Sequence, residues 1–424
     1  MARPDRRINL AVARAIPPFL LCVFIYASYA VTKPLCIDYL IHPLSKYDHG
    51  RRTGAGVAIL VIYYILLLIV LTTYLRLLHT VTWNAGLLPR KATPPADDAH
   101  EPPHSSGRHR RRRRRHRRHR SAEKTNTLDR DVESEADSTV DGDTTIPWDT
   151  NGLESFYTKD VFVCQPDGRP LYCSTCCHYK PDRTHHCREV DQCVRKMDHF
   201  CPWVGGVVSE TSFKFFIQFV FYTMLYCIFC LIVCALFTAE IERETGGANP
   251  HLAVGIGLSG LFGLFTFGMT LSSLQLAMLN LTTIENINRR SAVWTLAIRV
   301  PNHLLSRLNP DSRWAPTFNT ITYPLPPMPL TPEAQRNYQP PAGEQHIFAI
   351  LQTLPGENPF DLGSPFRNLQ QVLGYKVIDW FVPLKQSPCA VRTDSDSFFE
   401  FGPVVSRLKR EAGLEKPALE EARQ

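Results

Sequence analysis

The chain reads Asp198-His199-Phe200-Cys201-Pro202-Trp203 near its middle, directly after a stretch that is rich in cysteine and histidine. That stretch contains Cys173 and Cys176, then His185, His186 and Cys187 in succession, and then Cys193. Cysteine and histidine at this density are typical of a segment that folds around zinc. The sequence therefore predicts a small metal-binding domain that ends in a potential nucleophile, the Cys201 thiol.

Four long stretches contain no Asp, Glu, Lys or Arg, although the mean hydropathy of −0.15 is that of an ordinary soluble protein. They cover residues 15–32, 53–75, 215–239 and 252–284. Each is near or above the ~20 residues that a helix needs to cross a bilayer. A cleaved signal peptide is the alternative for the first, but Lys33 and Pro34 close that stretch without a small-residue cleavage pattern. We therefore predict an α-helical integral membrane protein with four transmembrane helices.

The charges that flank these stretches predict their orientation. Arg3, Arg6, Arg7 and Arg14 precede the first stretch, whereas Glu240, Glu242 and Glu244 follow the third. The positive-inside rule then puts both termini in the cytosol, together with the cysteine-rich domain between the second and third helices. Basic residues in the first short loop favour the opposite orientation. Because the cytosol is reducing, we interpret the cysteines of this domain as metal ligands or reactive thiols rather than disulfides.

Residues 91–150 are polar and lack any apolar periodicity, so we predict a disordered cytosolic linker. Ten arginines and three histidines run from Arg108 to Arg120 and account for the net charge of +7, which therefore says little about the substrate. Nucleic acid is a disfavoured partner, since no aromatic residues interleave the basic ones. Anionic lipid suits a loop tethered to the bilayer, at about 1 kcal/mol per basic residue. A merely solvated linker, screened by nearby acids, is the alternative.

The residues around Cys201 suggest how its thiol is activated. A free cysteine has a pKa of about 8.5 and must lose its proton before it can attack at neutral pH. His199 lies two positions earlier, a separation that can bring both side chains to one side of the chain. We predict that His199 acts as general base and that Asp198 orients its imidazole.

With these residues the chain resembles the DHHC family of protein S-acyltransferases, although Phe200 stands where the family usually has its second histidine. Thr282-Thr283-Ile284-Glu285 is similar to the TTxE motif of the family, and Asn358-Pro359-Phe360 opens a segment, 358–374, that resembles its conserved C-terminal segment. The resemblance implies that Thr283 hydrogen-bonds near the catalytic aspartate and that the C-terminal segment packs against the catalytic domain. Departures at residues 84–86 and 205–207 indicate a divergent fungal subgroup, the fifth of the fungal protein fatty acyltransferases.

The resemblance implies a protein S-palmitoyltransferase. Cys201 would take an acyl chain from palmitoyl-CoA as a thioester and pass it to a cysteine of a cytosolic or membrane-associated protein near the bilayer. The implied catalytic residues are Cys201, His199, Asp198 and Thr283. Since the domain enters the third helix at residues 213–216, the acyl chain can stay among the helices at roughly 0.8 kcal/mol per buried CH2.

The family's cysteine-rich domain holds two zinc ions, each with three cysteines and one histidine. The first set corresponds here to Cys173, Cys176, His186 and Cys193. The second set corresponds to Cys187, Val190, Phe200 and Val207, of which only the cysteine can bind zinc. We predict one structural zinc, with a small hydrophobic cluster in place of the other. A disordered subdomain is the alternative, and Cys164 or Cys177 could serve as substitute ligands.

The predicted organisation follows the chain from end to end. Residues 1–90 hold two transmembrane helices, 91–150 the linker, 160–212 the cysteine-rich catalytic domain, 213–284 the other two helices, and 285–424 a cytosolic C-terminal region. The main alternative function is a catalytically inactive membrane scaffold of the same fold. A RING-type ubiquitin ligase would need eight metal ligands, and a transporter would need charged residues within its spans.

Overall fold

A computed structural model describes residues 6–89, 153–308, 318–325, 345–391 and 396–415. Four of its helices are long and apolar enough to cross a membrane. They cover Arg6–Ile41, Thr53–Trp83, Phe213–Thr245 and Pro250–Met278, and we number them as the first to fourth membrane helices. This confirms the predicted four-helix fold class. The linker and its arginines from Arg108 to Arg120 lie outside the described residues.

The first membrane helix is longer than predicted at both ends. It is α-helical over Arg6–Ala30 and continues as a π-helix over Val31–Ile41. The prediction that this span closes at Lys33 and Pro34 is therefore wrong. Proline has no N–H and disrupts a regular helical turn, but the π-helix bonds to a different set of carbonyls and accommodates it. The Lys33 ammonium also binds the Asp38 carboxylate, so the helix carries no unpaired charge at this point.

The fourth membrane helix is shorter than predicted. It ends at Met278, whereas the uncharged stretch continues to residue 284. Asn280 has a φ of 46° in the left-handed region, which asparagine tolerates better than most residues. A separate short helix, Thr283–Ile287, then begins with Thr282 as its N-cap. A stretch without charged residues therefore does not correspond to one continuous helix here.

Short hairpins make up the cysteine-rich domain. Strand β2 (Tyr172–Cys173) pairs with β3 (His178–Tyr179), β4 (His185–Cys187) with β5 (Gln192–Val194), and β6 (His199–Cys201) with β7 (Gly206–Val208), all antiparallel. The domain attaches to the end of the second membrane helix, where the Ser209 hydroxyl donates to the Ala85 carbonyl at 2.9 Å. The Arg195 amide likewise donates to the Gly86 carbonyl at 3.0 Å. The departure from the family at residues 84–86 therefore lies at this junction.

A four-stranded antiparallel sheet joins distant parts of the chain, in the order β1-β8-β10-β9. Its strands are β1 (Val161–Val163), β8 (Thr295–Arg299), β9 (Asn319–Tyr323) and β10 (His346–Gln352). Short helices accompany it at Glu154–Tyr157, Pro365–Leu373, Ile378–Phe381 and Pro403–Glu411, with 3-10 turns at Pro202–Val204, Asn302–Leu308 and Pro388–Ala390. The segment just before the cysteine-rich hairpins therefore shares a sheet with the C-terminal region.

Candidate acyl-transfer site and metal centre

The β6–β7 hairpin sets the positions of the three central residues. His199 and Cys201 are both in β6, two residues apart, so the pleat turns their side chains to the same face. The Asp198 amide donates to the Val208 carbonyl at 2.9 Å, which fixes the residue just before the strand. The turn that follows needs glycine twice: Gly205 has a φ of 72°, and a Cβ on Gly206 would lie 2.5 Å from a Val81 methyl carbon.

The structure brings the four candidate catalytic residues together. His199 Nδ1 lies 2.6 Å from Asp198 Oδ2. The Thr283 hydroxyl donates to the same carboxylate oxygen at 2.8 Å, and the Thr283 amide donates to Asp198 Oδ1 at 2.9 Å. Because Nδ1 is bound to Asp198, the other imidazole nitrogen, Nε2, is the one that can accept the proton of the Cys201 thiol. The contact that the TTxE resemblance implied, between Thr283 and Asp198, is present.

The surroundings of His199 favour its protonated form. Burial lowers the pKa of His199, but the hydrogen bonds to Asp198 and to the Cys201 thiol outweigh it and raise the pKa from its ordinary value to about 9. The Phe216 ring packs edge-on against the imidazole, with ring centroids 5.3 Å apart. His199 is therefore a strong base that can hold the proton released by a neighbouring thiol.

Cys201 opens onto an apolar cavity among the membrane helices. The first, third and fourth helices line it, with aromatic side chains such as Phe24, Phe219 and Phe262. Along the third helix its lining extends from Phe216 to Cys234, which are 18 residues and hence about 27 Å apart. Its walls are almost entirely nonpolar, so the space suits a hydrocarbon chain rather than a hydrated ligand.

A buried ionic network anchors Thr283. The Thr282 hydroxyl caps the Thr283–Ile287 helix by accepting from the Glu285 amide. In return, the Thr282 amide donates to the Glu285 carboxylate at 2.8 Å. Arg183 binds both carboxylate oxygens of Glu285, at 2.7 and 2.6 Å, and also binds Asn280. Burial raises the pKa of Glu285, but the Arg183 charge and hydrogen bonds produce a net lowering. The ionised pair thereby holds the short helix against the cysteine-rich domain.

The C-terminal segment packs on this network, as the resemblance implied. The Phe360 ring is fully buried and lies 4.6 Å from the Arg183 guanidinium carbon. The Asn358 side-chain amide donates to the Leu279 carbonyl at 3.0 Å, and the Asn368 side-chain amide donates to the Met278 carbonyl at 2.8 Å. These bonds satisfy carbonyls at the end of the fourth membrane helix that have no partner within the helix.

Cys173, Cys176, His186 and Cys193 form a group whose ligand atoms all lie within 4.8 Å of one another. His186 Nδ1 is 3.7, 3.3 and 4.0 Å from the three sulfur atoms. Tetrahedral zinc, with bonds of about 2.3 Å to sulfur and 2.0 Å to nitrogen, needs a sulfur-to-nitrogen separation of about 3.5 Å. The other imidazole nitrogen lies 3.7 Å from Asp191, a carboxylate that can orient the ring. The group therefore fits a tetrahedral metal ion.

The four positions of the family's second zinc set lie in a hydrophobic cluster. Cys187 and Val207 are buried there, and Val190 and Phe200 pack against them. Val194, Met197 and Ile284 complete the cluster. Burial raises the pKa of the Cys187 thiol to about 11, which is the behaviour of a packing thiol. The predicted replacement of a polar site by apolar side chains matches this arrangement.

Sequence reasoning did not assign roles to Arg183, Asn280 and Lys196. Arg183 and Lys196 are charged yet only 4% and 5% exposed. Arg183 stands within the cysteine-rich segment, but a sequence gives no measure of its burial or of its partner about a hundred residues away. The cavity residues could not be predicted either, because they are divided among three helices that are distant in the chain. Sequence spacing could group three of the cavity residues on one face of the third membrane helix, because they lie at i, i+3 and i+7: Cys227, Cys230 and Cys234.

Comparison with known proteins adds independent findings. A family model described as DHHC palmitoyltransferase matches residues 167–290. The chain is 63% identical over 415 residues to the protein named palmitoyltransferase pfa5 of Aspergillus fumigatus, which covers 97% of this chain and 92% of that relative. It is 61% identical to the protein of the same name from Emericella nidulans, over 97% of this chain and 88% of the relative. The predicted likeness to a fungal subgroup is confirmed.

Proposed function

The chain belongs to the DHHC palmitoyltransferase family, and on that premise we propose that Cys201 is the residue that carries the acyl group between donor and substrate. Membership makes the chain an acyltransferase that acts on proteins and implies an acyl-CoA donor. The observation that carries our assignment is the continuous contact from Thr283 through Asp198 to His199 beside the Cys201 thiol.

The first half of the proposed reaction loads the enzyme. His199 takes the thiol proton of Cys201, and the resulting thiolate attacks the carbonyl carbon of palmitoyl-CoA. The bond between that carbon and the coenzyme A sulfur breaks, and the leaving thiolate takes the proton back from the imidazolium. Asp198 stabilises the charged imidazole throughout, and the bonds from Thr283 keep its carboxylate in position.

The second half transfers the chain. A cysteine thiol of the substrate protein gives its proton to His199 and attacks the carbonyl carbon of the acyl-Cys201 thioester. The bond to the Cys201 sulfur breaks, and the leaving Cys201 thiolate takes the proton from the His199 imidazolium, which restores the free thiol and the neutral imidazole. One thioester replaces another in each step, so the overall exchange is close to isoenergetic and requires no ATP.

The apolar cavity supports a long-chain fatty acid as the transferred group. An acyl chain on Cys201 could extend along the third membrane helix past Phe219 towards Cys234. Burial of each CH2 group contributes about 0.8 kcal/mol, so a long chain gains far more than a short one. We therefore propose palmitoyl-CoA as the donor, with coenzyme A remaining in water.

We assign a structural role to the metal. Cys173, Cys176, His186 and Cys193 would hold one zinc ion with four protein ligands, which leaves no open position for substrate. Bound zinc would supply folding free energy to the hairpins, since loops this short bury little apolar surface. Burial and the neighbouring thiols hold the pKa of Cys193 above its usual range, and a bound cation would reverse that effect.

We further propose that both termini and the cysteine-rich domain face the cytosol. The substrates are then cytosolic or membrane-associated proteins with cysteines close to the bilayer, within reach of Cys201. The arginines from Arg108 to Arg120 would bind anionic lipid of the cytosolic leaflet. The supporting observation is the distribution of arginine and glutamate around the spans.

The test is to load purified protein with radiolabelled palmitoyl-CoA and to measure the label released by neutral hydroxylamine. We expect a thioester on the wild type and none on Cys201→Ala. Cys177→Ala is a control, because this thiol belongs to the same domain but donates to the Ser174 carbonyl at 3.4 Å rather than contacting His199. Equal labelling of wild type and Cys201→Ala would place the nucleophile elsewhere.

A further inference from the structure

A short segment of the C-terminal region exposes several large apolar side chains. Tyr375, Val377, Ile378, Phe381 and Leu384 are between 48% and 76% exposed. Soluble surfaces expose such side chains singly, whereas a concentration of them indicates a surface that a partner or a membrane covers. We refer to residues 375–384 as the apolar segment.

The third membrane helix holds the middle of the apolar segment. The Gln218 side-chain amide donates to the carbonyls of Asp379 and Trp380, at 3.3 and 2.9 Å. The Tyr222 hydroxyl donates to the Phe381 carbonyl at 2.9 Å. Gln218 and Tyr222 are four residues apart and therefore share one helix face. The apolar segment thus lies along that face.

The second membrane helix holds the end of the apolar segment. The Arg76 guanidinium donates to the Leu384 carbonyl at 3.4 Å. Arg76 is the first charged residue after the uncharged stretch 53–75, so it lies where that span meets the headgroups. Leu68 and Leu75, within that stretch, are 65% and 64% exposed and face lipid. The apolar segment therefore adjoins the surface that the second helix presents to the bilayer.

The position of Tyr222 gives the depth of the segment. The uncharged stretch of the third helix begins at Phe215, and Tyr222 follows seven residues later, about 10 Å further along the axis. A helical side chain points back towards the N-terminus, so the Tyr222 hydroxyl lies nearer to the membrane surface than its Cα does. The Phe381 carbonyl is then slightly below the boundary, as in segments that lie roughly 5–10 Å deep in the interface.

The polar groups of the apolar segment have partners within the protein, as hydrocarbon requires. Its bonded carbonyls accept from side chains of the membrane helices. The Asp379 side chain is only 15% exposed, and the Lys385 ammonium lies 3.5 Å from its carboxylate. The Trp380 indole donates to the Gly374 carbonyl at 2.7 Å. The polar groups therefore face the protein, while the apolar side chains remain exposed.

We propose that the apolar segment lies in the lipid interface, on the side of the membrane that carries the cysteine-rich domain. Ile378, Phe381 and Leu384 contact the acyl chains just below the headgroups. Lys376 and Lys385 flank them and are exposed, so their long side chains can reach the phosphates of the headgroups. The C-terminal region is thereby attached to the bilayer in addition to the four membrane helices.

The test labels the unmodified full chain from the lipid. One chain is reconstituted per nanodisc with a phospholipid that carries a diazirine in its acyl chain, close to the carbonyl. After illumination, labelled tryptic peptides are quantified by mass spectrometry. We expect several-fold more label on residues 377–385 than on residues 291–299. That control peptide also exposes an apolar side chain, Val293, at 47%, but its Trp294 amide donates to the Thr353 hydroxyl rather than to a membrane helix.

Equal labelling of the two peptides would overturn the proposal. Each nanodisc holds one chain, so a surface that a second copy or a soluble partner normally covers would give this equal result. A diazirine at the end of the acyl chain should label residues 377–385 more weakly than one near the carbonyl. Stronger labelling from the chain end would place the segment at the depth of a membrane span and would also overturn the interfacial position.

A charge within the apolar segment provides a second test. Ile378→Glu should reduce labelling of the segment several-fold, because a carboxylate is unfavourable among acyl chains. The matched control, Val293→Glu, should leave that labelling unchanged. Undiminished labelling in folded Ile378→Glu would overturn the proposal. If this variant does not fold, the comparison of the two wild-type peptides still decides. None of these measurements depends on acylation of Cys201.

Discussion

Arg183 and Glu285 form a bidentate ion pair whose side chains are 0% and 3% exposed. The pair joins the cysteine-rich domain to the segment that follows the fourth membrane helix, more than a hundred residues later in the chain. Thr283 lies two residues before Glu285 in that segment and binds Asp198. An ion pair outside the catalytic group therefore helps to determine where the Asp198 carboxylate is held.

We predict that Glu285→Gln lowers both stability and acylation. The substitution leaves the Arg183 charge buried without its counter-ion, which typically costs 3–5 kcal/mol. The same loss should loosen the Thr283–Ile287 helix, so single-turnover acylation should fall even in folded protein. Thermal unfolding in detergent and labelling of Cys201 measure the two effects.

A matched control is the pair of Arg407 and Glu357, which is also bidentate, at 2.7 and 2.6 Å, but partly exposed. Glu357→Gln should leave acylation unchanged and should destabilise the protein much less, because water solvates the remaining charge. Equal effects of Glu285→Gln and Glu357→Gln would show that the buried pair has no special role.

Thr283→Ala should slow acylation without unfolding the protein. It removes the hydroxyl bond to Asp198 Oδ2 but keeps the amide bond to Oδ1. A hydrogen bond to a charged group contributes about 1.5–3 kcal/mol, which corresponds to a loss of roughly 10- to 100-fold if the bond acts mainly in the transition state.

Two variants separate this role from helix capping. Thr283→Ser retains the hydroxyl and should retain most of the activity. Thr282→Ala removes the N-cap, so it should cost about 1 kcal/mol of stability while leaving the bond between Thr283 and Asp198 in place. If Thr283→Ala acylates at the wild-type rate, its hydroxyl has no part in the reaction.

The sequence could predict those parts of the site whose residues are close together in the chain and act in the same reaction step. Asp198, His199 and Cys201 stand within four positions, and the strand they form requires the last two to share a face. The metal-binding group could also be predicted, because cysteine and histidine at this spacing are themselves typical zinc ligands. The contact of Thr283 with Asp198 came from the resemblance, since nothing in the local sequence links residues 85 positions apart.

The remaining features depend on partners that are distant in the chain. Strand β1 is three residues long and pairs with β8, whose register joins Val161 to Ile298, so no local pattern could predict the sheet. The first membrane helix continues through Pro34 because a π-helix accommodates it, whereas proline usually indicates a helix end. In the first case a strand distant in the chain determines the structure, and in the second a change in the helical hydrogen-bond pattern does.

The pair of Asp198 and His199 predicts that His199 titrates near pH 9. Its carboxylate partner and Cys201 raise the pKa against the opposing effect of burial. In Asp198→Asn the carboxylate charge is lost, so the midpoint should fall by more than a unit. NMR of 13C-labelled histidine measures it, with the signal assigned from His199→Gln. A midpoint that stays near 9 in Asp198→Asn would show that Asp198 does not stabilise the imidazolium.

The raised pKa of His199 also determines how its contribution to folding stability changes with pH. The pKa of His199 is higher in the folded protein, about 9, than its ordinary value of 6.5. Its proton therefore stabilises the fold fully below pH 6.5, and this contribution is lost as the pH rises through about 9. The difference in unfolding temperature between wild type and His199→Gln should narrow over that range. A difference that widens with pH would contradict the assignment.

Metal content is where this chain departs from its family's pattern. Only Cys187 of the four second-set positions can bind zinc, and it lies among Val190, Phe200 and Val207 in a hydrophobic cluster. Elemental analysis of pure protein should therefore give close to one zinc per chain. Cys173→Ala should lose that metal and unfold the hairpins, because a structural zinc contributes on the order of 10 kcal/mol to folding.

Cys187→Ala is the matched control, since it removes a buried thiol from the same domain but not from the Cys173 group. The smaller side chain leaves only a small void among apolar neighbours, so the cost should be roughly 1–2 kcal/mol and the zinc should remain. Two zinc ions per chain, or loss of zinc in Cys187→Ala, would show that another residue such as Cys164 or Cys177 rebuilds the second site. Thermal unfolding before and after a chelator provides a second readout: the chelator should destabilise wild type and Cys187→Ala equally and leave Cys173→Ala unchanged.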